Sequence, residues 1–224
     1  MLFGAGAFDD FFPCPFISFP LSDHEQTLSE EEQAQRVAEM RAAEAKRLAA
    51  LFDQLLGEMS RARMDSVHYA RAPLKKRLSG MADAPGGTEL IGLLGYVYDQ
   101  EARRLDETAL FGITSFLAKV QERGHMAKRV ISTASSAAAA QAAANDESGK
   151  RLSDEEKLRM GLRAIWKAGI LDIEMMVRAV VAETFANLTG YKREDYVHQM
   201  AALGEICHEI SAAGQPSDFA RYTK

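Results

Sequence analysis

The chain has 224 residues, 47% of them hydrophobic and 26% charged, which suits one domain with a sizeable core and excludes a wholly disordered tail protein. Its formal net charge of -5 argues against general nucleic-acid binding, which rests on a strongly basic surface. Cys14 and Cys207, its only cysteines, are too few for a disulfide framework and too far apart for a metal-ligand knuckle, so the cytoplasm or another reducing compartment is expected.

The opening Met1 to Phe12 lacks the basic start and continuous apolar stretch of a secretory signal, and no run of about 18 uncharged apolar residues follows. Residues 1–28 read as an extended arm. Phe3, Phe8, Phe11, Phe12, Phe16 and Phe19 are interleaved with Pro13, Pro15 and Pro20, a proline density that forbids a helix. Such an arm is expected to lie in an apolar groove, either of this chain or of a partner.

From Ser29 the pattern becomes helical, and residues 29–214 are taken as one helical domain followed by a tail, 215–224. Ser29-Glu-Glu-Glu32 is a capping box, and Val37, Met40, Leu48, Leu51, Leu55 and Met59 recur at helical spacing. Arg41 and Glu44 interrupt that stripe. Pro73 is expected to break the stretch after about residue 62, and Ala84-Pro-Gly-Gly87 reads as a loop with Thr88 capping the next helix. There Ile91, Leu94, Tyr98, Ala102 and Leu105 share a face, while Gly92 and Gly95 admit close approach of another backbone.

A further helix is expected from about Ser115 into the Ala-rich segment 137–144, ending at Asn145 to Gly149. Ser153-Asp-Glu-Glu156 is a second capping box, with Leu158, Leu162, Ile165, Ile173, Val177 and Val180 as the stripe behind it. Gly190 separates this helix from a last one, where Met200, Leu203, Cys207 and Ile210 step by three and four. No period-two strand is evident, so the expected class is all-α, a bundle of about five or six helices with an extended Phe/Pro-rich N-terminal arm.

Residues able to carry chemistry are few. Glu122-Arg-Gly-His125 and Glu205-Ile-Cys-His208 match the Glu-x-x-His spacing of di-metal bundles. At about 100° per residue, however, Glu205 lies almost opposite the face centred on Leu203 and Cys207, and Glu122 faces away from Val120, Gly124 and Ala127. Solvated surface pairs are the expected reading. Cys207 falls on an apolar stripe without a base in phase and reads as an inert buried thiol. Neither His24, His68 nor His198 belongs to a nucleophile arrangement. The basic clusters Arg71, Lys75, Lys76, Arg77 and Lys119, Arg123, Lys128, Arg129 read as solvated helix faces, with an acidic partner or anionic lipid as the minor alternative. Trp166 is expected to be a core anchor.

The order of segments resembles the X-domain that follows the J-domain in one group of DnaJ-class co-chaperones. Leu2-Phe3-Gly4 with Phe8 is similar to the segment that opens this region. Leu94-Gly95-Tyr96-Val97-Tyr98 with Glu101-Ala102 resembles the family's Gly-Tyr-x-Tyr element, and Phe116 to Lys119, Gly124-His125 and Ser132 to Ser135 follow in order. The stretch Leu162 to Trp166-Lys167, followed by Ile173-Glu174 and Arg178, looks like the Leu-Trp-Lys and Ile-Glu-x-x-x-Arg signature, and Leu203-Gly204-Glu-Ile206 resembles the closing helix.

The resemblance implies a non-catalytic domain without cofactor or metal, which binds protein clients or a fixed partner in a chaperone-related context. Its direct competitor is a structural subunit of a larger multiprotein assembly. No His is followed by Pro, so this stretch lacks the His-Pro-Asp tripeptide with which a J-domain stimulates its heat-shock chaperone partner. The arm phenylalanines are the candidate partner contacts. Gly95, Tyr96, Tyr98, Gly124, His125, Trp166, Lys167, Ile173, Glu174, Arg178, Leu203 and Gly204 are carried over as structural motif positions.

Overall fold

Both capping boxes form as their spacing requires. The Ser29 N–H donates to Glu32 Oε2 at 2.9 Å and the Glu32 N–H to Ser29 Oγ at 3.3 Å; the equivalent distances at Ser153 and Glu156 are 2.8 and 3.2 Å. Each pair satisfies donors that a helix start leaves open. In this computed structural model, which describes residues 29–65, 67–84, 86–106 and 153–214, the two boxes start the longest helices. The described residues form five helices and no strand: α1 (Glu30–Asp65), α2 (Val67–Ala82), α3 (Gly87–Leu105), α4 (Asp154–Phe185) and α5 (Gly190–Ala213). The arm, the Ala-rich segment and the tail lie outside the described residues.

Two local expectations are corrected. Pro73 sits inside α2 and does not end a helix. It occupies an exposed position while Leu74, Leu78 and Met81 are buried, so packing of the inner face holds the helix through the missing N–H. Thr88 is not a cap: the N-cap is Gly86, at φ 75°, and the Thr88 hydroxyl instead donates to the Ala82 carbonyl at 3.3 Å. Gly86 is favoured in that left-handed conformation, and the Trp166 ring lies against it, 2.8 Å from where a Cβ would stand.

The contacts between helices fix their directions. Arg41 pairs with Asp172, and Thr184 Oγ1 donates to the Ala49 carbonyl at 3.4 Å, so α1 and α4 run parallel. Gly86 beside Trp166 and Glu101 bonded to Arg178 make α3 parallel to both. Arg71 with Glu205 and Lys75 with Glu209 make α2 and α5 parallel to each other and opposite to the rest. A core of Leu48, Phe52, Leu56, Leu78, Ile91, Val97, Val177, Val180, Met200, Leu203 and Ile206 fills the space between them.

The expected stripes hold in part. On α1, Leu48 and Met59 are core and Leu55 packs against it, but Leu51 is 39% exposed and the buried face is completed by Ala45, Ala49, Phe52 and Leu56. On α4, Val177 and Val180 are buried, whereas Leu158 is 62% and Ile165 46% exposed. No described residue is buried before Ala45 in α1 or before Trp166 in α4. The N-terminal parts of these two helices thus project as a pair beyond the five-helix body.

Candidate functional site

The contact between α3 and α4 is held by charge. Glu101 and Glu174 are 2% and 0% exposed, and Arg178 bridges them, donating from Nη1 to Glu101 Oε1 at 2.6 Å and from Nη2 to Glu174 Oε1 at 3.0 Å. Arg104 Nε donates to the second Glu101 oxygen at 2.7 Å. Two carboxylates and two guanidiniums balance, the condition under which buried charge is tolerated. Glu174 and Arg178 lie one turn apart on α4, as do Glu101 and Arg104 on α3, so each helix brings one acid and one base to the contact. The arrangement fixes α3 against α4.

Packing of α3 against α5 is of a different kind. A Cβ on Gly95 would stand 3.0 Å from Cys207 Cβ, 3.1 Å from the Gly204 carbonyl and 3.2 Å from the His208 nitrogen; one on Gly204 would stand 3.3 Å from the Gly95 carbonyl. The two glycines face each other where the backbones meet, a close approach of the kind expected at Gly92 and Gly95. Gly92 repeats the contact one turn earlier, against Ser211. Tyr98, next along this face, stacks on Phe52 of α1 with ring centroids 5.3 Å apart, within the usual range for aromatic pairs.

Burial removes the groups at this crossing from proton chemistry. It pushes the Cys207 thiol up to about 12, so the nucleophilic thiolate is scarce at neutral pH. It also drives the Tyr98 phenol well above its ordinary value, with the neighbouring Cys207 adding to the effect. Both behave as core residues.

The surface groups are spent on neighbours. Glu205 is exposed and binds Arg71 at 2.6 Å, Glu209 binds Lys75 at 2.8 Å, and His208 is exposed. The Glu205-x-x-His208 pair therefore faces outward, and half the α2 basic cluster is engaged by α5. Among the described residues no three His, Cys, Asp or Glu side chains converge as a metal site would need. A pocket between the C-terminus of α3 and the start of α5, lined by Leu105, Arg193, Val197 and His198, offers about 100 Å³, below the volume of a typical small-molecule site.

The family model for the X-domain of DnaJ-containing proteins matches residues 41–221, well over half of the chain. The chain belongs to the DnaJ X-domain family. No curated protein and no solved structure matches it. None of the helices among the described residues is long and apolar enough to cross a membrane.

The motif positions of the X-domain can now be placed. Gly95 and Gly204 form the α3–α5 crossing, Leu203 is buried beside them and Tyr98 stacks in the core, with Tyr96 half-buried at its edge. Trp166 packs on Gly86, Ile173 lies against the core, and Lys167 is half-buried beside Trp166. Glu174 and Arg178 are the α4 half of the ion network. Gly124, His125 and the arm residues Phe3, Phe8, Phe11, Phe12, Phe16 and Phe19 lie outside the described residues. Sequence reasoning missed the partnership of Glu101 with Arg104 and Arg178. Its only local signal is that Glu101 falls among Leu94, Tyr98, Ala102 and Leu105, on a face otherwise apolar.

Proposed function

We propose that this X-domain is a non-catalytic protein-binding domain acting in a chaperone-related context, in the cytoplasm or another reducing compartment. One observation carries the reading: three polar residues of the family motifs, Glu101, Glu174 and Arg178, are consumed in a buried tie between two helices. What the X-domain offers outward is shape, charge and apolar surface. The arm phenylalanines and the projecting ends of α1 and α4, with Leu158 and Ile165 exposed, are the surfaces suited to another protein.

Native mass of the endogenous protein in a gentle extract, with mass spectrometry of what co-migrates, tests this. Varied substoichiometric clients together with heat-shock chaperones support the co-chaperone role. A large particle of fixed composition replaces it by the structural-subunit role, and a free monomer with nothing attached overturns both. Binding of the purified chain to an unfolded model protein supports the client version, and its complete absence removes that version.

A further inference from the structure

The projecting pair of helices carries an apolar strip with no partner among the described residues. Leu158, Leu162 and Ile165 are spaced by four and three on one face of α4; Leu158 and Ile165 are exposed and Leu162 half-buried. Val37 and Met40 on neighbouring α1 are also only half-buried. Ser29 precedes Arg41 by twelve residues, and the residue equally far before Asp172, its ion-pair partner on the parallel helix, is Met160. Ser29, to which residues 1–28 are joined, therefore stands level with the strip itself, between Leu158 and Leu162.

We infer that the arm folds back from Ser29 and lays Phe16, Ile17, Phe19 and Leu21 on the strip formed by Leu158, Leu162 and Ile165, with Val37 of α1 about one turn beyond it. Reach allows it. Residues 22–28 can span about 23 Å and residues 16–21 about 20 Å when extended, against about 10 Å of helix from Leu158 to Ile165. Composition favours it as well. Ser22 to Thr27 are polar and suit a turn around the α1 cap, while the six residues before them are mostly apolar. The other segment that arrives at this end of the bundle, just before Ser153, is Asn145 to Leu152, in which Leu152 is the one large apolar residue, against Phe16, Ile17, Phe19 and Leu21 in the arm. Six phenylalanines in the arm and an uncovered strip at its root are complementary, and both are removed from water by one contact. The inference stands whether or not a partner protein exists, and a partner for either surface would have to displace the other.

The test uses the full chain with isotope-labelled Leu, Val and Ile methyls and a nitroxide on Cys14, two residues from Phe16. Cys207 is buried and escapes labelling, which mass spectrometry verifies. The expected result is loss of the Leu158, Leu162, Ile165 and Val37 methyl signals and their recovery on reduction of the nitroxide. Leu56, about 28 Å further along α1 than Val37, keeps its signal. In the Phe16→Ser, Phe19→Ser double variant the strip signals return while the helical circular dichroism is unchanged. Uniform weak loss over the whole chain overturns the inference, as does loss seen only when spin-labelled and isotope-labelled chains are mixed, which would make a second copy the occupant. Unaffected strip methyls that are nevertheless protected from carbene labelling also overturn it, in favour of residues 107–152.

Discussion

Adding one methyl group at Gly95 probes the closest approach in the fold. Two terms oppose each other in Gly95→Ala. Alanine inside a helix is favoured over glycine by about 0.8–1 kcal/mol, yet the new Cβ would meet the Cys207 Cβ at 3.0 Å and two backbone atoms, the Gly204 carbonyl and the His208 nitrogen, at 3.1 and 3.2 Å. Backbone cannot rotate away as a side-chain tip can, so α3 and α5 must separate by a few tenths of an ångström along their shared length. Overpacking of this kind costs typically about 1–3 kcal/mol, and here it opposes the propensity gain. The net expectation is a loss of about 0–2 kcal/mol, which places Gly95→Ala about 1–3 kcal/mol below a glycine-to-alanine change in open space, and each kcal/mol lowers the melting temperature by about 2–4 °C for a chain of this size. Gly161→Ala is the control, because a Cβ there meets nothing within 4 Å; it gains about 0.8–1 kcal/mol. Urea unfolding followed by circular dichroism at constant slope reads both, and Gly95→Val should lose more than Gly95→Ala. If Gly95→Ala proves as stable as Gly161→Ala, the backbones do not touch at this glycine and the account of the crossing is wrong.

Three further outcomes are expected. Arg178→Met leaves Glu174 buried without its guanidinium and should destabilise by about 3–5 kcal/mol; a loss under about 1 kcal/mol in urea melts would show that the network is solvated. Ser153→Ala removes the α4 cap and should cost about 1 kcal/mol near neutral pH. The Ser153 backbone N–H, and after it the same hydroxyl, hold the Glu156 carboxyl below its ordinary value, so that contribution is complete above the ordinary carboxylate range and is lost as pH falls through the lowered value. The gap between Ser153→Ala and the parent should accordingly narrow in acid melts, and a gap that widens there contradicts the cap. Cys207, with its thiol raised to about 12 by burial, should remain unalkylated by a maleimide at pH 8 in the folded chain and react in urea; peptide mapping that finds equal modification in both would place it at the surface.

Two helix starts were legible because capping is local chemistry: Ser29 and Ser153 are each followed by glutamate three residues later, and both boxes form, whereas Thr88, with no such glutamate, misled. The small-residue crossing was legible for the same reason, since Gly92 and Gly95 have few other uses on an apolar helix face. The buried limits of the stripes were not. Leu158 and Ile165 fit the period of Val177 and Val180, but period shows only which side of a helix is apolar, and whether that side meets other helices depends on where α2, α3 and α5 stop. Pro73 misled because its breaking tendency was weighed without the packing of Leu74, Leu78 and Met81. Glu101 stayed hidden because its partner, Arg178, is seventy-seven residues away in sequence, and no local spacing encodes such a meeting.

That long-range pairing bears on what the family signature is for. Replacing a buried ion network by apolar side chains of similar volume is often neutral or stabilising, so stability alone is a weak reason to have one. Direction and register are a better reason here. The segment between α3 and α4 starts at one end of the bundle and finishes at the other, so no short turn sets the height of α4 against α3; an apolar contact would tolerate sliding by a turn. Arg178 accepts one arrangement, with Glu101 from α3 and Glu174 from its own preceding turn. A slip of one turn along α4, about 5.4 Å, would part Arg178 from Glu101 and leave both charges buried. The height of α4 in turn sets how far its first three turns project beyond the body, and with them Leu158 and Ile165. The buried charges and the exposed strip are thus two ends of one device, in which an ion pair deep in the bundle fixes the position of a surface on its rim.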